Sequence, residues 1–167
     1  MTIETVYLAG GCYWGLEDLL RKIPGVVETA VGFSGGHVKN VCYREVSTGT
    51  TGHTETVKVI FDTDILSFTD LLVFFFKIHD PTTLNQQGND IGTQYRSAIF
   101  ATTNEQVFLA EDLIKKIDAS GVFKNKITTE VHSFNLFFPA EENHQKYLEK
   151  HPDGYTCHFM RDVNFAA

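Results

Sequence analysis

The sequence predicts an α+β fold, a ferredoxin-like two-layer sandwich with a βαββαβ core and an irregular C-terminal tail. Three observations lead there. Short β-branched and aromatic runs bounded by glycines alternate with apolar residues at helical spacing. The segments come in the order β-α-β-β-α-β, with further elements appended. No repeat, low-complexity tract or Pro/Gly/Ser-rich linker interrupts them, so residues 1–167 are read as one domain, with a core at about 4–150 and a tail at 151–167.

Residues 5–9 (TVYLA) form a short buried strand that Gly10 and Gly11 end. Leu16, Leu19, Leu20 and Ile23 share one helical face, and Pro24-Gly25 stops that helix. Residues 26–33 make the second strand, closed by Gly35-Gly36. TETVKVIFD at 54–62 is the third, and its alternation sets Glu55 on the same face as Val57, Val59 and Phe61. Ser67 and Asp70 have the spacing of a helix-opening box ahead of LLVFFFKI, whose Phe74-Phe75-Phe76 run is core. A turn-rich loop with breakers at Pro81, Gly88 and Gly92 leads to a strand at 96–101. Thr103 and Gln106 open a helix with Val107, Ala110, Ile114 and Ile117 on one face. A strand at 126–133 and a short polar helix at 141–150 follow. From Pro152 onward there are turn signals and no period, the pattern of a tail laid over the surface.

Composition narrows the function classes. A chain of 167 residues buries roughly 68–70% of its unfolded surface, enough for a core without staples. Hydrophobic residues at 43% and charged residues at 21% are globular values, and a net charge of -7 argues against nucleic acid or an anionic membrane as partner. Three cysteines are too few for a disulfide scaffold. No secretory leader or 20-residue apolar run is visible, so a soluble, reduced, cytoplasmic protein is expected. A monomer is the expected state, though no motif in the sequence encodes it.

The chemistry starts at the cysteines. Cys12 follows a strand and two glycines and opens a helix, where the positive end of the dipole is expected to lower a thiol pKa; a buried structural cysteine is the alternative. Cys157, in the tail, can swing toward another thiol and resolve it, or be a chance surface residue. Cys42 has no such rationale. Glu55 must be desolvated on its apolar strand face, which raises a carboxyl pKa and suits a general acid, unless it reaches solvent at the sheet rim. No metal-ligand spacing, phosphate loop or dinucleotide fingerprint occurs, so no metal and no bound cofactor is expected. Two readings compete with redox chemistry. One is a cysteine hydrolase or acyl transferase using Cys12 with His53 as base; the other is a ferredoxin-like binding module without catalysis.

GCYWG at 11–15, GFSGG at 32–36, TGHTE at 51–55, HDPTTLNQQGNDIGTQYRS at 79–97 and HPDGYTC at 151–157 resemble the A-type peptide methionine sulfoxide reductases. Order and spacing agree from residue 4 to about 160. The resemblance implies that Cys12 is the nucleophile, Glu55 the acid that protonates the sulfoxide oxygen, and Tyr43 and Tyr95 the phenols that hold that oxygen. It implies that Tyr13 and Trp14 form the pocket for the S-methyl group and that Asp90 belongs to the active site. Cys157 corresponds to the tail cysteine that forms a disulfide with the nucleophile. The implied activity is reduction of methionine-S-sulfoxide, free or in proteins, through a Cys12 sulfenic acid, with thioredoxin or dithiothreitol as external reductant. Three positions depart from the family pattern: Tyr13 replaces the usual Phe, Gln86 the usual Arg, and the tail reads GYTC with no later cysteine.

Overall fold

The computed structural model describes residues 2–165; Met1 at the start of the expected domain and Ala166 and Ala167 at the end of its tail lie outside the described residues. In chain order the elements are β1 (Ile3–Gly10), α1 (Tyr13–Leu20), β2 (Val26–Ser34), α2 (Tyr43–Val46), β3 (Thr54–Asp62), α3 (Phe68–Ile78), the two-residue strands β4 (Gln86–Gln87) and β5 (Asp90–Ile91), β6 (Ser97–Ala101), α4 (Asn104–Ser120), β7 (Glu130–Ser133), β8 (Phe137–Pro139) and α5 (Tyr147–Lys150). The arrangement is mixed α/β. A six-stranded sheet runs β7-β6-β1-β3-β2-β8, and β4 pairs with β5 in a separate hairpin. Every pair in the large sheet is antiparallel except β6 with β7, which α4 joins as a crossover.

The period-2 pattern decides which face meets the helices. Val6, Leu8, Val57, Val59, Phe61 and Ile99 point to one side and pack with Leu16 and Leu20 of α1, Leu71, Leu72, Phe75 and Phe76 of α3, and Ala110, Leu113 and Ile117 of α4. Each large apolar side chain taken from water there contributes about 1.5–3 kcal/mol. Tyr7, Ala9, Ala98 and Phe100 point the other way, where Phe134 and Phe137 cover them; the Tyr7 and Phe134 rings stack at 4.1 Å. The expected helix starts are present. Ser67 Oγ accepts the Asp70 N–H at 3.1 Å and Thr103 Oγ1 accepts the Gln106 N–H at 3.1 Å.

Two expectations are corrected. The strand expected over 126–133 is confined to Glu130–Ser133, because the chain ahead of it is tied elsewhere, the Thr128 N–H to the Pro81 carbonyl and the Ile127 N–H to Asp118. The helix expected over 141–150 is broken into a 3-10 turn at Glu142–His144 and α5. Lys146 breaks it with φ 52°, since its N–H and ammonium are drawn to the buried Glu17 and to the Thr29 carbonyl. The four-residue α2 and the edge strand β8 have no local periodic signal. For the site, what matters is that the C-terminal end of β1 and the N-terminal end of β3 meet at one end of the sheet, because those neighbours are antiparallel.

Candidate active site

Gly11, at φ +94°, turns the chain out of β1 and delivers Cys12 as the residue capping α1. The thiol is buried at 9% exposure. Glu55, the second residue of β3, is 1% exposed and sits opposite Phe33 of β2. One of its oxygens accepts the Tyr13 N–H at 3.1 Å; the other is buried and unpartnered. Burial pushes the Glu55 carboxyl up to about 8, against the Tyr13 N–H and helped by the Asp90 charge. At neutral pH it is therefore protonated, with its free oxygen able to donate.

The expected lowering of the Cys12 pKa is corrected. The N-terminal N–H groups of α1 are divided, Tyr13 to Glu55 and Trp14 to Cys12, and α1 is only two turns long. Desolvation, followed by the Glu55 charge, outweighs the Trp14 N–H and raises the thiol well above its ordinary range. The resting pair is a neutral thiol beside a neutral carboxylic acid.

Tyr43 and Tyr95 come from separate elements. Tyr43 opens α2, where its N–H donates to Glu141 at 3.1 Å and the Cys42–Glu45 capping box fixes the turn. Tyr95 ends a 3-10 turn that follows Gly92. The two hydroxyls are hydrogen-bonded to each other, and both phenols are raised by desolvation and then by the Glu55 charge. Tyr13 is fully buried against Phe33, Tyr43 and His144, its hydroxyl unpartnered. Trp14 is half-buried and stacks on Tyr147 at 3.7 Å and 8°. Asp90 faces the tail: its carboxylate accepts the Tyr155 hydroxyl at 3.0 Å and lies 3.8 Å from Cys157 Sγ. Cys157 does not hang free. Its sulfur is 3.8 Å from the Gln87 carbonyl and within electrostatic reach of Cys12.

Sequence reasoning missed His144. It accepts the Trp14 indole N–H at 3.1 Å, its ring lies 4.5 Å from that of Tyr43, and burial lowers its pKa. No periodicity could reveal it, because it stands in the segment read as a polar helix. His53, the candidate hydrolase base, is 2% exposed with both nitrogens committed to backbone: one accepts the Gly36 N–H at 3.1 Å, the other donates to the Val38 carbonyl at 2.6 Å. Neither is available to Cys12. Among the described residues no group of three or more His, Cys, Asp or Glu side chains could hold a metal ion, and no helix is long and apolar enough to cross a membrane.

The family model described as "Peptide methionine sulfoxide reductase" matches residues 4–166. The chain belongs to that family. It is 52% identical over 158 residues to peptide methionine sulfoxide reductase MsrA 1 of Mesorhizobium japonicum, covering 95% of this chain and 90% of the relative. Among solved structures it is similar to Mxr1 from Saccharomyces cerevisiae in reduced form, with a TM-score of 0.88 at 37% identity over 96% of this chain and 93% of that one. It is also similar to methionine sulfoxide reductase A of Corynebacterium diphtheriae, with a TM-score of 0.83 at 42% identity over 97% and 81% of the two chains. Mxr1 has a further structure in complex with Trx2, alike in fold at a TM-score of 0.63 and 24% identity, over 96% of this chain and 91% of that one.

Proposed function

We propose that this reductase carries out its thiol-dependent reduction of methionine-S-sulfoxide, free or within proteins, with Cys12 as nucleophile and Glu55 as acid. One observation carries the assignment: a buried Glu55 with an unpartnered oxygen, its carboxyl pushed up by burial, shares the site with the buried Cys12 thiol. The overall step is Cys12–SH plus sulfoxide giving Cys12–SOH plus thioether. It is neutral on both sides, so a neutral thiol and a neutral acid match it without burying net charge. Glu55 donates to the sulfoxide oxygen as the Cys12 sulfur attacks, and the thiol proton restores Glu55. The substrate S–O bond breaks, its sulfur is reduced, and the Cys12 sulfur is oxidised to the sulfenic level.

Tyr43 and Tyr95 donate to the same oxygen once substrate separates them. Trp14, braced by Tyr147 and His144, forms the exposed wall of the methyl pocket, with the Tyr13 ring behind it. Asp90 anchors the tail side of the site and adds to the charge that keeps Glu55 protonated. Cys157 then attacks the sulfenic acid, water leaves, and a thioredoxin-type dithiol reduces the resulting disulfide. The structure of Mxr1 in complex with Trx2 supports that partner class.

The same proposal covers the rest of the molecule. It is one catalytic domain over 1–167 that needs no bound cofactor or metal, acting as a cytoplasmic monomer. A ferredoxin-like core is supported by the antiparallel order β6-β1-β3-β2 with the long helices on one face. The hydrolase reading loses its base, since His53 is spent on backbone. The test is a dithiothreitol-coupled assay with blocked methionine-S-sulfoxide and its R epimer. Turnover of the S epimer with alkylation-sensitive Cys12 is expected; turnover that survives Cys12 alkylation would overturn the assignment.

A further inference from the structure

The tail is read from sequence as aperiodic and free to swing, yet it is docked. Among its described residues, 151–165, His158 alone is buried. Its Nε2 lies 2.6 Å from the Gly10 carbonyl oxygen, and a carbonyl only accepts, so Nε2 carries the proton and donates. The neighbouring turn is closed by the His158 N–H donating to Thr156 Oγ1 at 3.1 Å. Gly15 lets this turn approach. A Cβ on Gly15 would run into Thr156 Oγ1 and come within 2.6 Å of His158 Nδ1. Gly88 also lies against the tail, where a Cβ would come within a tight 3.3 Å of Cys157 Cβ.

The chain arithmetic gives this docking a purpose. Gly10 precedes Cys12 by two residues and His158 follows Cys157 by one, so a bond from His158 to Gly10 holds the two sulfurs' backbones together across the fold. We propose that His158 is a positioning residue for the second half of the reaction, pinning the reduced tail to the Gly10 carbonyl so that Cys157 waits beside the Cys12 sulfenic acid. This rests on the reading of Cys12 and Cys157 given above. In the step it serves, Cys157 Sγ bonds to Cys12 Sγ, the Cys12 S–O bond breaks, and the hydroxide leaves with the Cys157 thiol proton as water. One sulfur is reduced and the other oxidised by the same amount. Burial lowers the His158 pKa to about 4, so the imidazole stays neutral at physiological pH.

The tail's other ties are the exposed Tyr155–Asp90 hydrogen bond, the 3.8 Å contacts of Cys157 Sγ with the Gln87 carbonyl and Asp90, the Arg161 N–H to the Lys77 carbonyl, and Phe165 against the core; none of them is a buried hydrogen bond to the segment that carries Cys12. Without His158 the cysteine keeps only those ties, and its effective concentration falls toward that of a flexible tether, on the order of millimolar. A pinned thiol exceeds that, since fixed geometry raises effective molarity steeply.

The test is a competition. Reduced enzyme receives one equivalent of blocked methionine-S-sulfoxide in millimolar 2-mercaptoethanol, and mass spectrometry scores Cys12–Cys157 disulfide against Cys12–mercaptoethanol mixed disulfide. Wild type should give almost all intramolecular disulfide. His158→Ala should shift the ratio toward the mixed disulfide by at least about tenfold, and His158→Gln, which keeps a side-chain N–H, should recover part of it. Gly15→Ala, whose Cβ would clash with Thr156 Oγ1 and His158 Nδ1, should displace the same turn and shift the ratio in the same direction, which keeps the test available if His158→Ala does not fold. General destabilisation would slow sulfenic acid formation without changing how it partitions. A wild-type ratio in either folded variant overturns the role of His158. Absence of the Cys12–Cys157 disulfide from the wild type itself would instead overturn the assignment of Cys157, and the pin with it.

Discussion

Glu55→Gln removes one proton and little else. The amide keeps the side chain's volume on a strand face that is 1% exposed, and its carbonyl can still accept the Tyr13 N–H. Its NH2 occupies the position of the unpartnered oxygen and can hydrogen-bond a sulfoxide, but it cannot give the proton up. General acids contribute about 10²–10⁴-fold, which at about 1.4 kcal/mol per tenfold is about 3–6 kcal/mol of lost transition-state stabilisation. The pH dependence follows from the same group. With a carboxyl pushed up to about 8, about nine-tenths of the enzyme is in the acid form at pH 7 and about one-tenth at pH 9. The wild-type oxygen-transfer rate should therefore fall about tenfold per pH unit above that value. Cys12, held above the ordinary thiol range, adds no opposing limb there. Rapid-quench single turnovers with enzyme in excess, scoring blocked methionine formed, measure both effects. A Gln variant within about threefold of wild type, or a wild-type profile flat to pH 9, would refute the acid role.

The same substitution should move stability the other way. Between the ordinary carboxyl value of 4.5 and about 8 the folded protein holds a Glu55 proton that the unfolded chain has lost, so wild-type stability falls as pH rises through that window. Glu55→Gln should remove that slope, which thermal melts at pH 5 and pH 8 would register. Cys12→Ser should abolish reduction even in excess dithiothreitol, because a hydroxyl is no comparable nucleophile; residual turnover removes Cys12 from the chemistry. Cys42→Ser should leave thioredoxin-supported turnover within about twofold, as its sulfur only caps the four-residue α2; selective loss of that turnover would make Cys42 a relay thiol. Tyr13→Phe deletes a buried hydroxyl with no partner and should raise stability by about 1 kcal/mol, read in urea melts; a loss of that size would mean the hydroxyl is hydrogen-bonded in solution.

What could be read from the chain was what local pattern encodes. The alternation in 54–62 put Glu55 among Val57, Val59 and Phe61, and all four are buried on one face. The glycines before Cys12 announced a side chain delivered at a strand end. The sign of the Cys12 shift was not legible, because it depends on Glu55, 43 residues away, and on the depth of burial. His144 and Tyr147 escaped notice because they act through ring contacts with Trp14 and Tyr43, which no spacing in their own segment reveals. The tail looked irregular because its order comes from isolated long-range ties, His158 to Gly10 above all, and such ties have no period. Lys146 broke the last expected helix for the same reason: a buried carboxylate on α1 outbid local helical bonding.

The most direct measurement is a thiol and product count on wild-type enzyme given blocked methionine-S-sulfoxide with no reductant present. One blocked methionine should form per enzyme, two of the three thiols should disappear, and the only new cross-link should join Cys12 to Cys157. Blocked methionine formed while Cys12 still reacts as a free thiol would contradict the mechanism at its first step.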